Sequence, residues 1–223
     1  MTTSTSPFTT DASARLPGTD VWFALPAGFT PLPMRELLAS ESTSCTPDPG
    51  AIVASLLAAV DDPAEQHRLV TVLAPLRRLI HSMAQTGVIH CSVGLHTDDE
   101  GDGGLLPSLF TLAWRKMPWA PRSIMAARTA ASAENAVRVD TLELPCGPAS
   151  LVEALVKAPP GSGLGQQLLQ ISAYVPYPDG ERLAILTLAT PAVERADHYH
   201  ALLHEIACLV SFDNPLSPES DEE

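Results

Sequence analysis

Residues 198–205 carry the densest group of side chains that could do chemistry in this sequence. The segment reads His-Tyr-His-Ala-Leu-Leu-His-Glu, so His200 and His204 stand four residues apart. On a helix, residues at this spacing lie one turn apart on the same side, to which Asp197 and Cys208 also project. Imidazole, thiolate and carboxylate groups together could bind Zn²⁺ or another borderline metal. His200 and His204 are therefore a candidate metal site.

The competing interpretation of these two histidines is a solvated helix face, opposite to the apolar stripe of the helix. Their spacing is not that of the His-Glu-x-x-His motif, because Glu205 follows the second histidine of the pair. On a solvated face, alanine at both His200 and His204 leaves fold and function intact. We expect no cofactor, and the metal site remains an alternative.

Cys146 is the second candidate for chemistry, because it stands in a tight Leu-Pro-Cys-Gly-Pro loop. A loop thiol becomes a nucleophile or a redox site when a nearby cation lowers its pKa. Arg138 is the cation that the sequence offers for this role. The competing interpretation is a turn with an incidental thiol.

His90 and Cys91 are adjacent on a segment of alternating apolar and polar residues, with His96 further along it. Neighbouring residues on a strand point to opposite faces, so His90 cannot easily activate Cys91. Cys91 belongs to the apolar face, where a cysteine behaves as a small hydrophobic residue. We therefore expect no catalytic residue here, and none is predicted elsewhere in the chain.

Two further segments resemble binding loops only in composition. Residues 161–165, Gly-Ser-Gly-Leu-Gly, follow two prolines and precede a strand, so the context of a dinucleotide-binding loop is absent. Residues 98–103, Asp-Asp-Glu-Gly-Asp-Gly, lack the alternating ligand spacing of a calcium loop. We interpret them as a flexible connection and a charged hairpin turn.

Alternating apolar residues predict the strands that position these groups. The predicted strands cover residues 20–25, 89–95, 109–114, 137–141, 150–157, 169–175 and 183–189. Residues 183–189 are apolar on both faces, which is typical of a central strand. Hairpin signals such as Pro178-Asp179-Gly180 outnumber the spacing of β-α-β units. The expected fold is α+β, a mainly antiparallel sheet with helices packed on one side.

Apolar residues at helical spacing predict the helices. The predicted helices cover residues 51–60, 63–86, 121–132 and 191–210. The last is a long C-terminal helix whose apolar side is expected to pack on the sheet. That side is formed by Tyr199, Leu202, Leu203, Ile206, Leu209 and Val210.

The composition indicates one folded domain. The chain has 223 residues, of which 45% are hydrophobic, enough for a substantial core. We expect a flexible segment over residues 1–19, a single α+β domain over 20–212 and an acidic disordered tail over 213–223. The net charge of −13 repels phosphate backbones and anionic lipids, which excludes nucleic acid and membrane surfaces as partners.

The cysteines and the first residues predict a cytoplasmic location. The four cysteines are widely spaced without a Cys-x-x-Cys pair, which is typical of free thiols in a reducing compartment. The start of the sequence, Met-Thr-Thr-Ser-Thr-Ser-Pro, has neither the basic nor the apolar part of a secretory signal.

Both ends of the expected domain resemble a known family. A strand that runs into Leu25-Pro26-Ala27-Gly28-Phe29 is similar to the start of PsbP-like domains, which include LpqN-like bacterial proteins. Residues 182–190 and the helix that closes at Val210-Ser211-Phe212 resemble their last strand and C-terminal helix. The resemblance implies an antiparallel sheet sandwiched by helices and a binding, chaperone or accessory role. The predicted helices over 51–85 exceed the pattern, and no catalytic residues carry over.

The absence of catalytic motifs favours a non-enzymatic protein-interaction or accessory module of chaperone, secretion-accessory or immunity type. Such a module has a protein partner, which the sequence does not identify, and the sequence does not set the oligomeric state. One alternative is a metal- or cysteine-dependent hydrolase that uses His200 and His204 or Cys146. A small-ligand-binding domain is the other alternative.

Overall fold

The computed structural model describes residues 8–10, 20–32, 87–97, 105–157 and 167–214. The helices predicted over residues 51–60 and 63–86 lie outside these residues. The same holds for the segments 98–103 and 161–165, for Cys45 and for residues 215–223. Within the described residues, six of the seven expected strands have a counterpart of similar extent. Of the strand expected over residues 20–25, only the end lies in a strand, Ala24–Pro26, and Trp22 forms an isolated bridge with Ser211.

The described residues form nine strands and two α-helices. The strands are β1 (Phe8–Thr10), β2 (Ala24–Pro26), β3 (Phe29–Pro31), β4 (Val88–Thr97), β5 (Leu105–Lys116), β6 (Ala136–Leu144), β7 (Gly147–Lys157), β8 (Gln167–Pro176) and β9 (Arg182–Thr190). The helices are α1 (Arg122–Ala131), between β5 and β6, and α2 (Ala196–Cys208), which follows a 3-10 turn at Val193–Arg195. Neither helix is long and apolar enough to cross a membrane.

Seven of these strands form one sheet in the order β3-β4-β5-β9-β8-β7-β6, in which all neighbours are antiparallel. The prediction of a mainly antiparallel sheet is therefore confirmed. β9 is the middle strand, as its two apolar faces predict. β1 and β2 form a separate two-stranded sheet, so Phe8–Thr10 is a strand within the segment that we expected to be flexible.

The two helices pack on opposite faces of the sheet. Leu203 of α2 belongs to a large core that includes Leu186 of β9. Met125 of α1 packs in a smaller cluster with Leu183, also of β9. Residues 183 and 186 differ by an odd number, so their side chains leave β9 on opposite faces. The prediction of helices on one side is not confirmed, because a strand that is apolar on both faces needs cover on both.

β4 is buried on both faces, although its sequence predicts one polar and one apolar face. Cys91 is buried on one face, and His90 and Ser92 are buried on the other. The Nε2 atom of His90 lies 2.6 Å from Oγ of Ser92, so these polar groups satisfy each other by hydrogen bonding. The rings of His90 and Phe23 also meet edge to face, with centroids 4.9 Å apart. Polar residues at alternate positions therefore do not mark a solvated face here.

Candidate functional site

His200 is buried, and it does not lie on the solvated side where the helical wheel places it. It faces β6, where its Nε2 atom lies 3.0 Å from Oδ2 of Asp140 without the alignment of a hydrogen bond. The same oxygen accepts a hydrogen bond from Nε of Arg138 at 2.9 Å. His200 is thus part of a polar contact between α2 and the sheet. The helical spacing did not predict the burial of His200, because contact with β6 extends the buried side of the helix beyond its apolar stripe.

The other proposed metal ligands lie in separate places. Nε2 of His204 is 3.9 Å from Sγ of Cys208, which is a contact within one turn of α2. The Asp197 side chain is fully exposed, and its Oδ1 atom lies 3.5 Å from Nη1 of Arg138. Nowhere in the described part of the chain do three or more His, Cys, Asp or Glu side chains form a group that could hold a metal ion. His200 and His204 therefore have different surroundings.

Cys146 lies beside a cation, but that cation is Arg122 and not Arg138. Nη2 of Arg122 donates a hydrogen bond to the carbonyl oxygen of Cys146, and its Nε donates to the carbonyl oxygen of Pro176 at 3.0 Å. Burial raises the pKa of the Cys146 thiol, and the charge of Arg122 opposes this shift without cancelling it. The thiol is therefore protonated at neutral pH, which is not the state of an activated nucleophile.

Cys91 is less reactive still. It is buried on β4, and burial raises the pKa of its thiol to about 12. A thiol in this environment packs as a small apolar group, in agreement with its place on the apolar side of the strand pattern. Neither His90 nor another polar side chain is needed to explain its position.

A cluster of aromatic side chains lies where the β8–β9 turn meets the end of β5. It consists of Trp114, Tyr177 and Phe212, which we call the aromatic cluster. The Tyr177 ring meets Phe212 edge to face at 4.9 Å between centroids and meets Trp114 at 5.7 Å. These residues come from three distant segments of a chain with only 5% aromatic residues. No local sequence pattern could have predicted that these three side chains meet.

Arg182 covers this cluster with its guanidinium group. Its Cζ atom lies 3.8 Å from the centroid of the Tyr177 ring and 5.3 Å from that of Trp114, which is the geometry of a cation–π contact. Arg182 also donates hydrogen bonds to Asp179 and Asp20, each at 2.7 Å. The bond to Asp179 is the main cause that raises the pKa of Arg182. The cation is therefore fully engaged within the molecule.

Trp119 lies next to the β8–β9 turn, on a short loop between β5 and α1. We call residues 117–120 the Trp119 loop. The backbone N–H of Met117 donates to the carbonyl of Glu181 at 2.7 Å, and that of Ala120 donates to the carbonyl of Gly180 at 3.1 Å. The loop is thus fixed to the β8–β9 turn on both sides of Trp119. The indole is nevertheless 68% exposed.

Gly180 is the residue that permits this close approach. Its φ of +72° favours glycine, and a Cβ atom would lie 2.9 Å from the carbonyl oxygen of Ala120 and 3.1 Å from Nε1 of Trp119. The Pro-Asp-Gly turn was predicted from the sequence, but its contact with Trp119 was not. The fixed loop and the exposed indole together form the candidate binding surface.

Comparison with known proteins gives no family. No family model and no curated protein matches the chain. Among solved structures, the chain is similar to the Ran-binding protein Mog1p of Saccharomyces cerevisiae, with 12% identity and a TM-score of 0.40. That match covers 92% of this chain and 95% of Mog1p. A likeness at this level carries no conclusion about function.

Proposed function

We propose that this chain is a non-enzymatic protein-interaction module that binds a partner protein through the Trp119 loop. The observation that carries the proposal is the exposure of Trp119 on a loop that the β8–β9 turn holds in place. A large apolar side chain exposed to this extent costs hydration free energy in the unbound molecule. Burial against a partner recovers it, which is why tryptophan is enriched among residues that dominate binding energies.

The fixed backbone of the loop supports the same proposal. Binding normally costs free energy because loops and side chains must be ordered at the interface. Here the hydrogen bonds from Met117 and Ala120 have already ordered the backbone on both sides of Trp119. The indole is thus presented to a partner at a low entropic cost.

The surroundings of Trp119 fit the polar rim of a binding surface. Arg115 and Lys116, at the end of β5, are both exposed, and so is Glu181 of the facing turn. Asp179 is engaged by Arg182 and adds little free charge. A partner surface with an apolar pocket and both signs of charge around it would match this arrangement.

The state of the Cys91 and Cys146 thiols supports a non-enzymatic role. A cysteine-dependent hydrolase needs a thiol with a lowered pKa, whereas burial raises the pKa of both Cys91 and Cys146. The resemblance to PsbP-like domains, which we retain as a proposal, points to the same kind of role. Chaperone, secretion-accessory and immunity roles differ in the partner: an unfolded client, a secreted protein or a folded toxin.

The test is a comparison of Trp119→Ala with Leu209→Ala. Leu209 is also an exposed apolar residue, but it lies after the end of α2. The tagged wild type and both variants are recovered from cells that express the chain, and their bound proteins are quantified by mass spectrometry. Partners lost with Trp119→Ala and retained with Leu209→Ala are then measured by calorimetry as purified proteins.

We expect Trp119→Ala to weaken the binding of such a partner by about 2 kcal/mol or more, which is about 30-fold in Kd. Circular dichroism of the purified variants shows whether each one is folded. Equal recovery of every partner by the two variants would refute the role of the Trp119 loop.

A further inference from the structure

β6 is the edge of the sheet opposite to β3, and within the described part of the chain its only strand neighbour is β7. An edge strand presents backbone N–H and C=O groups that can pair with another chain. Leu144 is the one buried residue of β6, and the side chains of Val137 and Val139 are 56% and 48% exposed. Among the described residues, β6 therefore combines an edge that has no strand partner with exposed apolar side chains.

The order of charges along β6 is complementary to itself. Arg138 and Asp140 flank Val139, and residues two apart on a strand share a face. When two copies of β6 pair antiparallel around a two-fold axis at Val139, residue 138 of each copy stands opposite residue 140 of the other. We propose that β6 pairs in this register with β6 of a second copy of this chain.

The register is specific because a shift of the axis by one residue removes the complementarity. An axis at Arg138 would place the two guanidinium groups opposite each other. An axis at Asp140 would do the same with the two carboxylates. Directly opposed like charges destabilise a strand pair, whereas opposite charges and β-branched pairs stabilise it. The axis at Val139 gives two Arg–Asp contacts and one contact between valines.

The two charged side chains are already held on this face in the single copy. Nε of Arg138 bonds Oδ2 of Asp140 at 2.9 Å, and α2 adds Asp197 at 3.5 Å from Arg138 and His200 at 3.0 Å from Asp140. Side chains ordered in this way lose less conformational freedom when a second copy binds. The surface is separate from the Trp119 loop, which contacts the β8–β9 turn.

A β-bulge limits the length of this self-pairing. The register between β6 and β7 shifts between Ala136 and Arg138, so the regular part of β6 begins at Arg138. A bulge near a strand end is one of the features that restrict pairing at an edge. The interface is therefore short and depends on the few pairs around Val139, which makes it sensitive to single charges.

The test is sedimentation velocity of the full chain over a wide concentration range, with Arg138→Asp and Asp140→Arg as variants. We expect the wild type to dimerise and each variant alone to dimerise about tenfold more weakly or worse, because like charges are then opposed. An equimolar mixture of the two variants should form a heterodimer as tight as the wild-type dimer, because every carboxylate then faces a guanidinium group.

A second pair of variants avoids the contacts with α2. Val139→Glu and Val139→Lys each place like charges at the axis, so each alone should lose the dimer, and their mixture should recover it. Ile89→Glu is the matched control, because Ile89 is 48% exposed but lies on β4. That control should dimerise as the wild type does.

Two results would overturn the proposal. One is a wild type that stays monomeric at every concentration. The other is a mixture of complementary variants, shown to be folded by circular dichroism, that dimerises no better than its components.

Discussion

The guanidinium carbon of Arg182 lies 3.8 Å from the centroid of the Tyr177 ring. This contact joins the first residue of β9 to the residue that follows β8, so it closes the turn between the two strands. Asp179, inside the turn, accepts a hydrogen bond from the Arg182 side chain at 2.7 Å and from its backbone N–H at 3.0 Å. The turn is thus held by charge, by an aromatic face and by backbone hydrogen bonds.

We predict that Asp179→Asn destabilises the protein at neutral pH and has a smaller effect in acid. Desolvation opposes the shift, but hydrogen bonds from the N–H groups of Glu181 and Arg182 and from the Arg182 side chain lower the pKa of Asp179 below 3.8. The ionised form is therefore favoured in the folded state. Its contribution to stability is complete well above pH 3.8 and is lost as the pH falls through the folded-state pKa.

Urea unfolding of the wild type and of Asp179→Asn at several pH values measures this dependence. Glu181→Gln is the matched control, because Glu181 is an exposed carboxylate of the same turn. A difference between the wild type and Asp179→Asn that stays constant from neutral to acid pH would contradict the prediction.

We predict that Gly180→Ala destabilises the protein and disturbs Trp119. An alanine would have to adopt a φ of +72°, and its Cβ atom would press on the carbonyl oxygen of Ala120. The expected cost is about 1–3 kcal/mol, measured by thermal unfolding. Because the Cβ atom also meets the indole of Trp119, the fluorescence emission of Trp119 should change.

The control for this effect is Gly28→Ala. Gly28 also has a positive φ, of 95°, but it lies in the turn between β2 and β3. The Gly28→Ala variant should be less stable because of its backbone conformation alone, and its tryptophan emission should equal that of the wild type. The same spectral change in both variants would show that Gly180 has no special relation to Trp119.

We predict that Leu203→Ala destabilises the protein by about 2–5 kcal/mol, as truncation of a buried leucine does. Leu203 is completely buried in the core between α2 and the sheet. Leu209→Ala should change the free energy of unfolding little, because Leu209 is 44% exposed. The helical spacing of the sequence placed both leucines on the sheet-packing side of the helix. Similar losses of stability in the two variants would support that placement and contradict the structure.

We predict that iodoacetamide does not modify Cys91 in the native protein at neutral pH. Its thiol is buried and its pKa is raised to about 12, so thiolate and access are both lacking. Cys208 is partly exposed at the end of α2 and serves as the internal control. Mass spectrometry should find Cys91 unlabelled in the native protein and labelled when the reagent is added to the unfolded chain. Rapid labelling of Cys91 in the native protein would refute this prediction.

The sheet was predictable because alternation is a local signal. β8 shows it in Leu169, Ile171 and Ala173, and β9 shows in its two apolar faces that it is a central strand. The positions of the helices were not predictable in the same way. Which face of a two-sided strand a helix covers depends on long-range packing, and α1 and α2 cover different faces.

The candidate surface could be predicted only in part. The Pro-Asp-Gly turn is a local pattern, and the sequence identified it. The contacts of Arg182 with Tyr177 and Trp114, and of Arg122 with Cys146, join residues far apart in the chain. His200 was placed on the wrong side because the wheel contains no information about Asp140, which lies on another element.

The position of β9 has a consequence for synthesis of the protein. Strands β3, β4 and β5 precede it in the chain, and so do β6, β7 and β8, yet β9 is the strand that joins these two groups. Leu109 of β5 pairs with Ala189, which is synthesised much later, so the inner edge of β5 stays unpaired until then. Until residues 182–190 leave the ribosome, the inner edges of β5 and β8 have unpaired backbone N–H and C=O groups, and each edge can pair with other chains. We therefore expect the newly made protein to depend on chaperones until translation has passed this strand.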